Sequence, residues 1–252
     1  MKKRILIVAL IFVLGCSLFA CGNKVENSDG DVEKAQEQTE PQTEDVKSNA
    51  EPSIYDLAIS KDIEIDKSMN NYFDGDAVKA IKKMEPMLMS AARSVRKDMG
   101  TVILSGNENS EFQWYIVQGL IAAYGGDATN TTENYVIMNL DMVAKYFNSC
   151  FADFKLPVPD LPQGFSTTFD SETSDYKVPS LDVPETYFTV KGITLSKASS
   201  ATDPTMSATI LVELSDPATE GNPVYGTAEV EVVKNSDSIY GYSLQSLTYT
   251  EK

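Results

Sequence analysis

The feature that most constrains the fold is a change of hydrophobic period on either side of a proline cluster. Up to about residue 154 the apolar residues recur at spacings of three and four, the pattern that lets a helix bury one stripe. Leu156-Pro157-Val158-Pro159-Asp160-Leu161-Pro162 then forbids helix continuation and favours an extended connector. Beyond it the period is two. Met206, Ala208, Ile210, Val212 and Leu214 alternate with polar residues, as do Ala228, Val230 and Val232, so one face of each strand is buried and the other wet. Helices first and antiparallel strands second give the α+β class, with about three N-terminal helices packed on the apolar face of a C-terminal β-meander.

The first helix is expected over 76–99, with Val78, Ile81, Met84, Leu88, Ala91 or Ala92, Val95 and Met99 on its buried stripe. Asp74 or Asp76 caps it, Lys97 suits its last turn, Gly100 stops it, and Pro86 should kink or divide it at Glu85. Residues 101–104 read as a short strand or extended connector. A second helix over 112–124 is apolar on most of its circumference and should lie centrally. Ser110 and Gln113 have capping-box spacing at its start, and Gly125-Gly126 ends it. Residues 134–138 are extended and lead to Asn139 or Asp141 as the cap of a third helix carrying Met142, Val143, Tyr146, Phe147, Cys150, Phe151 and Phe154.

Residues 165–169 and 176–179 flank 170–175 as a hairpin. Four longer strands are expected at about 186–196, 206–214, 224–234 and 239–250, separated by Asp-Pro, Gly-Asn-Pro and Asn-Ser-Asp turn chemistry. The folded part is either one α+β domain over 53–252 or has a sub-boundary near 156–164. Three helices followed by a meander that ends in the aromatic strand Tyr240 to Tyr249 resemble the NTF2-like, cone-shaped α+β fold by element order. That resemblance implies a pocket between helices and sheet. It does not imply a function.

Composition narrows the chemistry. No histidine occurs, which removes Ser-His-Asp and Cys-His catalysis and every histidine-containing metal site. The 37 acids against 21 bases give a net charge of −16, unsuited to nucleic acid or to anionic lipid headgroups. No cofactor is expected.

The N-terminus reads as an export signal over 1–20: Lys2, Lys3 and Arg4 precede an apolar run too short to span a bilayer. Leu18-Phe19-Ala20-Cys21 is similar to the lipobox of bacterial lipoproteins, whose pattern is Leu at minus three, a small residue at minus one, then the lipidated Cys. The resemblance implies cleavage before Cys21, a thioether-linked diacylglycerol on its sulfur, and residence on the extracytoplasmic face of the cell membrane. Val13-Leu14-Gly15-Cys16 is a poorer fit at minus three. Residues 22–52 hold nine acids, three lysines and no aromatic ring, so they cannot bury enough surface to fold and read as a solvated tether. Without the three N-terminal positive charges the chain carries −19, of which −6 belongs to the tether and −13 to residues 53–252.

No catalytic set and no metal set stands out. Glu229 and Glu231 share one strand face about 7 Å apart, a separation that would suit glycoside hydrolysis in a cleft, but their neighbours claim the buried side. Asp170 to Asp175 has alternating oxygens without the Gly and terminal Glu of an EF-hand loop. Met84, Met87 and Met89 offer thioethers to Cu(I), or fill the core. Cys150, among aromatic residues, reads as a buried thiol. The ligand-binding candidates are Tyr225, Tyr240, Tyr242, Glu229 and Glu231, on the reasoning that exposed rings beside carboxylates stack on sugars or bind a peptide. The expected role is thus a lipid-anchored, non-enzymatic binding domain for a protein, peptide or saccharide. The alternative is an NTF2-like pocket using carboxylate or tyrosine chemistry. Oligomeric state is not legible.

Overall fold

A computed structural model describes residues 57–63, 65, 67–125, 130–132, 134–180, 186–197 and 206–252. The signal, the lipobox with Cys21, and the tether lie outside the described residues. In chain order the first elements are β1 (Ala58–Ile59), α1 (Lys67–Tyr72), α2 (Ala77–Arg93), β2 (Thr101–Ile103), α3 (Ser110–Tyr124), β3 (Asn130–Thr131), β4 (Tyr135–Asn139) and α4 (Leu140–Cys150). The strand-rich half follows with β5 (Thr168–Asp170), β6 (Asp175–Pro179), β7 (Tyr187–Lys197), β8 (Met206–Ser215), β9 (Val224–Lys234) and β10 (Tyr242–Glu251). The chain is α+β.

The period-two region forms the meander β7-β8-β9-β10 by successive antiparallel pairing, for example Ile210 opposite Val230 and Val230 opposite Leu247. Its apolar alternation decides which face is covered. Ala208, Ile210, Val212, Leu214, Ala228, Val230, Val232, Leu244 and Leu247 are all buried, whereas Met206 at the start of β8 is exposed. Short strands extend this sheet at both edges: β1 joins β7 in parallel, and β2 joins β10 antiparallel, giving the order β1-β7-β8-β9-β10-β2. Helices and strands are therefore interleaved rather than strictly sequential. The expected hairpin is β5-β6, but it belongs to a second sheet of order β3-β4-β6-β5, with Val136 opposite Val178.

Asp76 caps α2, its carboxylate accepting the Lys79 amide at 2.9 Å. Pro86 does not divide this helix, which runs unbroken from Ala77 to Arg93. A proline in a helix interior costs about 3 kcal/mol, and each fully buried large apolar side chain returns roughly 1.5–3 kcal/mol. Met84, Met87, Leu88 and Met89 are all fully buried on the two sides of Pro86, so packing wins. The helix stops at Ser94 rather than reaching Met99. At α3 the capping-box expectation fails: Ser110 is the first helical residue, and Asn109 precedes it without a side-chain cap bond. Gln113 instead turns inward, donating to the carbonyls of Leu104 at 2.8 Å and Gly106 at 2.7 Å. Asn139 caps α4 by accepting the Met142 amide at 2.9 Å.

One hydrophobic cluster draws on α1 to α4 and on strands of both sheets. Residues 156–164 do not separate it, because the connector is fastened to α3. Trp114, fully buried, donates its indole N–H to the Pro159 carbonyl at 3.0 Å and packs against Phe147 and Tyr176 with ring centroids 4.9 and 5.2 Å away.

Candidate functional site

The residues singled out as ligand-binding candidates are not brought together. Tyr240 and Tyr242 are 7% and 5% exposed, so neither ring is presented to solvent. Tyr242 donates to the Tyr72 carbonyl at 3.3 Å and packs on Phe73 at 5.1 Å, which makes it part of the α1–β10 packing. Glu229 and Glu231 lie on the outer face of the large sheet. Glu231 accepts hydrogen bonds from Ser207 on β8 and from Ser246 on β10, the latter at 2.8 Å, and so serves as a cross-strand clasp. Of the five, Tyr225 lines a cavity formed by described residues.

That cavity has a volume of about 470 Å³, within the range of roughly 300–1,000 Å³ typical of small-molecule sites. Three pieces of chain build it. The end of α2 and the segment after it supply Ser90, Arg93, Arg96 and Lys97; α3 supplies Tyr115, Gln118 and Gly119; Tyr225 on β9 and Tyr249 on β10 close the sheet side. The aromatic and basic groups are interleaved. The Arg96 guanidinium lies 4.0 Å from the centroid of Tyr115, and that of Arg93 lies 5.0 Å from the centroid of Phe188. Both distances are those of cation–π contacts. Tyr249 fits close against β9 because residue 226 is glycine: a Cβ there would stand 2.5 Å from the tyrosine ring. Its hydroxyl stays protonated at neutral pH, since burial, and next to it the negative charge of Glu251, pushes the phenol up.

Gly119 is the second informative glycine. It sits mid-helix, where glycine costs about 1 kcal/mol relative to alanine, and among the described residues no atom beyond its own helix backbone lies within 4 Å of where its Cβ would be. The missing side chain leaves volume at the cavity wall. Ser90 adds a polar anomaly: it is 1% exposed and its hydroxyl has no hydrogen-bond partner among the described residues.

A second cavity, about 400 Å³, lies between the end of α4 and the β9–β10 turn, lined by Asp153, Lys234, Asn235, Asp237 and Gln245. The remaining sequence candidates are structural. Met84, Met87 and Met89 are fully buried in the core, out of reach of a solution ion. Asp170 closes the β5–β6 turn by accepting the Glu172 amide at 3.1 Å, and this bond, with Lys177 beside it, holds its carboxyl below the usual range. Cys150 is fully buried, and burial pushes its thiol far up. Among the described residues no group of three or more acids or cysteines could hold a metal, and no helix is long and apolar enough to cross a membrane.

The tyrosines of the helix–sheet junction make a pH prediction instead. Burial first, and their mutual proximity or Asp74 second, pushes Tyr72 and Tyr242 up to about 12, and burial pushes Tyr240 higher still. Unfolded tyrosine titrates near 10, so above that pH the unfolded chain loses protons that the folded chain keeps. Stability from these groups is present in full below about pH 10 and lost as pH rises through about 12. Urea midpoints followed by circular dichroism should fall steeply across that window, and Tyr242→Phe should fall less steeply. An equal slope in both proteins would refute the assignment.

No protein-family model matches the chain, and no curated protein or solved structure matches it either. The Arg93–Lys97 cluster was missed by sequence reasoning, which took Lys97 only as a partner for the helix end. The available signal was three bases within five positions of a domain whose net charge is −13.

Proposed function

We propose that the chain is a lipid-anchored, extracytoplasmic binding protein whose α+β domain takes a small ligand in the cavity between α2, α3 and the β9–β10 edge. The observation that carries this reading is the cavity itself, walled by rings and side-chain donors, with Gly119 keeping it open. The anchor rests on the lipobox residues Leu18-Phe19-Ala20-Cys21, and the acidic tether sets the domain away from the membrane. An NTF2-like cone is the finer fold reading. Its support is the four-strand meander packed on α2, to which the second sheet and the two edge strands are additions.

Two measurements test this. Intact mass of the membrane-extracted protein should show a diacylglyceryl adduct that Cys21→Ser lacks; an unmodified wild-type Cys21 would overturn the anchor. For the cavity, a fluorinated fragment mixture is screened by ¹⁹F NMR against the full chain in lipid nanodiscs. Gly119→Trp grows an indole into the open space and should weaken the bound fragments at least tenfold. Fragments indifferent to that substitution, or no binding fragment at all, would refute the reading.

A further inference from the structure

Resting on the cavity reading above, we infer that the ligand is an aromatic ring compound bearing a carbonyl-type oxygen, and that Ser90 on the cavity wall donates its hydroxyl to that oxygen. Two residues of this wall run against the stability of the helices that carry them. Met87 to Ala92 are all buried in α2, and Ser90 is the single polar side chain among those six. A serine inside a helix can donate back to a carbonyl one turn earlier. Ser90 does not: its hydroxyl has no hydrogen-bond partner among the described residues, so its desolvation is left uncompensated. Its carbonyl, by contrast, accepts the Ser94 hydroxyl at 2.8 Å. Gly119 on α3 is the second such residue. An alanine methyl there would meet no described atom beyond the helix's own backbone within 4 Å, so α3 has room for alanine and would gain by it. Two departures from local rules on the wall of one cavity point to a bound molecule rather than to packing.

The rest of the wall sets the sense of the hydrogen bond. A serine hydroxyl can donate or accept. Among the described lining residues there is no carboxylate, and the Gln118 carboxamide is engaged at both ends, donating to the Ser166 hydroxyl at 3.1 Å and accepting that of Thr167 at 3.2 Å. The side chains here offer a ligand donors in preference to acceptors, and the partner that completes Ser90 is an acceptor. Tyr225 and Tyr249 on the sheet side favour an aromatic body, since aromatic pairs are favourable both offset-stacked and edge-to-face.

The test uses 1-indanone and its carbonyl-free isostere 1-methyleneindane, titrated calorimetrically into the full chain in nanodiscs with empty nanodiscs as blank, together with the thermal midpoints of the unliganded proteins. Indanone should bind one to one and roughly fivefold or more tighter than methyleneindane, the worth of one neutral hydrogen bond. In Ser90→Ala the midpoint should hold or rise by about 1–4 °C, indanone should weaken by roughly fivefold or more, and methyleneindane should move less than about twofold. Gly119→Ala should raise the midpoint by about 2–4 °C; a fall would mean that the space at Gly119 is filled and would overturn the inference. A fall in Ser90→Ala would show that the hydroxyl serves the fold, and overturns it equally. So does an indanone preference that survives Ser90→Ala, or indanone that fails to bind. Equal binding of the two compounds, both abolished by Gly119→Trp, overturns the carbonyl and leaves the cavity reading intact, which the fragment screen decides independently.

Discussion

Trp114→Ala should lower the unfolding free energy by about 3–5 kcal/mol, the cost of truncating a large aromatic residue in a core that cannot fully collapse. The side chain is fully buried and touches Phe147 of α4, Tyr176 of β6 and Phe165 just after the connector, so α3 loses packing against three other parts of the chain at once. The substitution also removes the donor to the Pro159 carbonyl. At roughly 2–4 °C per kcal/mol for a domain of this size, the thermal midpoint should drop by about 6–20 °C. Trp114→Phe keeps a ring in place and should lose considerably less. A Trp114→Ala loss below about 1.5 kcal/mol, near the range of ordinary substitutions, would mean that the connector is not fastened here.

Gln113→Met is the second large effect, expected at about 2–4 kcal/mol. The two side chains match in length, so the cost lies in hydrogen bonding rather than volume. Each carbonyl stripped of a buried donor costs roughly 1–3 kcal/mol, and Gln113 serves both Leu104 and Gly106. Some of this is returned, because its own Oε1 has no partner among the described residues and is lost with the amide. The loop it serves also bonds to Gln245 on β10 and to Ala152 after α4. Hydrogen exchange should therefore accelerate first at the amides of Leu104 and Gly106. Uniform acceleration over the whole domain, or none, would show that Gln113 is not the hub of that loop.

These two residues also mark where sequence reasoning held and where it stopped. Period-two alternation located the meander because every second residue of β8 and β9 meets the same core. A helical stripe located α2, and apolar residues around most of its circumference placed α3 at the centre. Gln113 misled, since a capping box is a local pattern, whereas the carbonyls it satisfies are presented by a loop whose position depends on β10 and α4. The edge strands β1 and β2 escaped for a similar reason: two or three residues carry no period of their own and pair only because a sheet edge is waiting. The site was legible at Tyr225 and not elsewhere. Tyr240 and Tyr242 share its strand-rich composition but face the helices, and aromatic content alone does not report a strand's facing. Arg93, Arg96 and Lys97 belong to the helix half of the sequence, and only the fold sets them opposite Tyr225 and Tyr249.

Leu57, where the described structure begins, carries a mechanical consequence. Its side chain is fully buried, its amide donates to Glu85 at 2.8 Å, and its carbonyl accepts from Lys82 at 2.7 Å. Only then does the chain enter the sheet, through the two residues of β1. Among the described residues, tension entering at Leu57 meets two side chains of α2 before it meets any strand pairing. The helix that forms one wall of the cavity is also the one that would take the load.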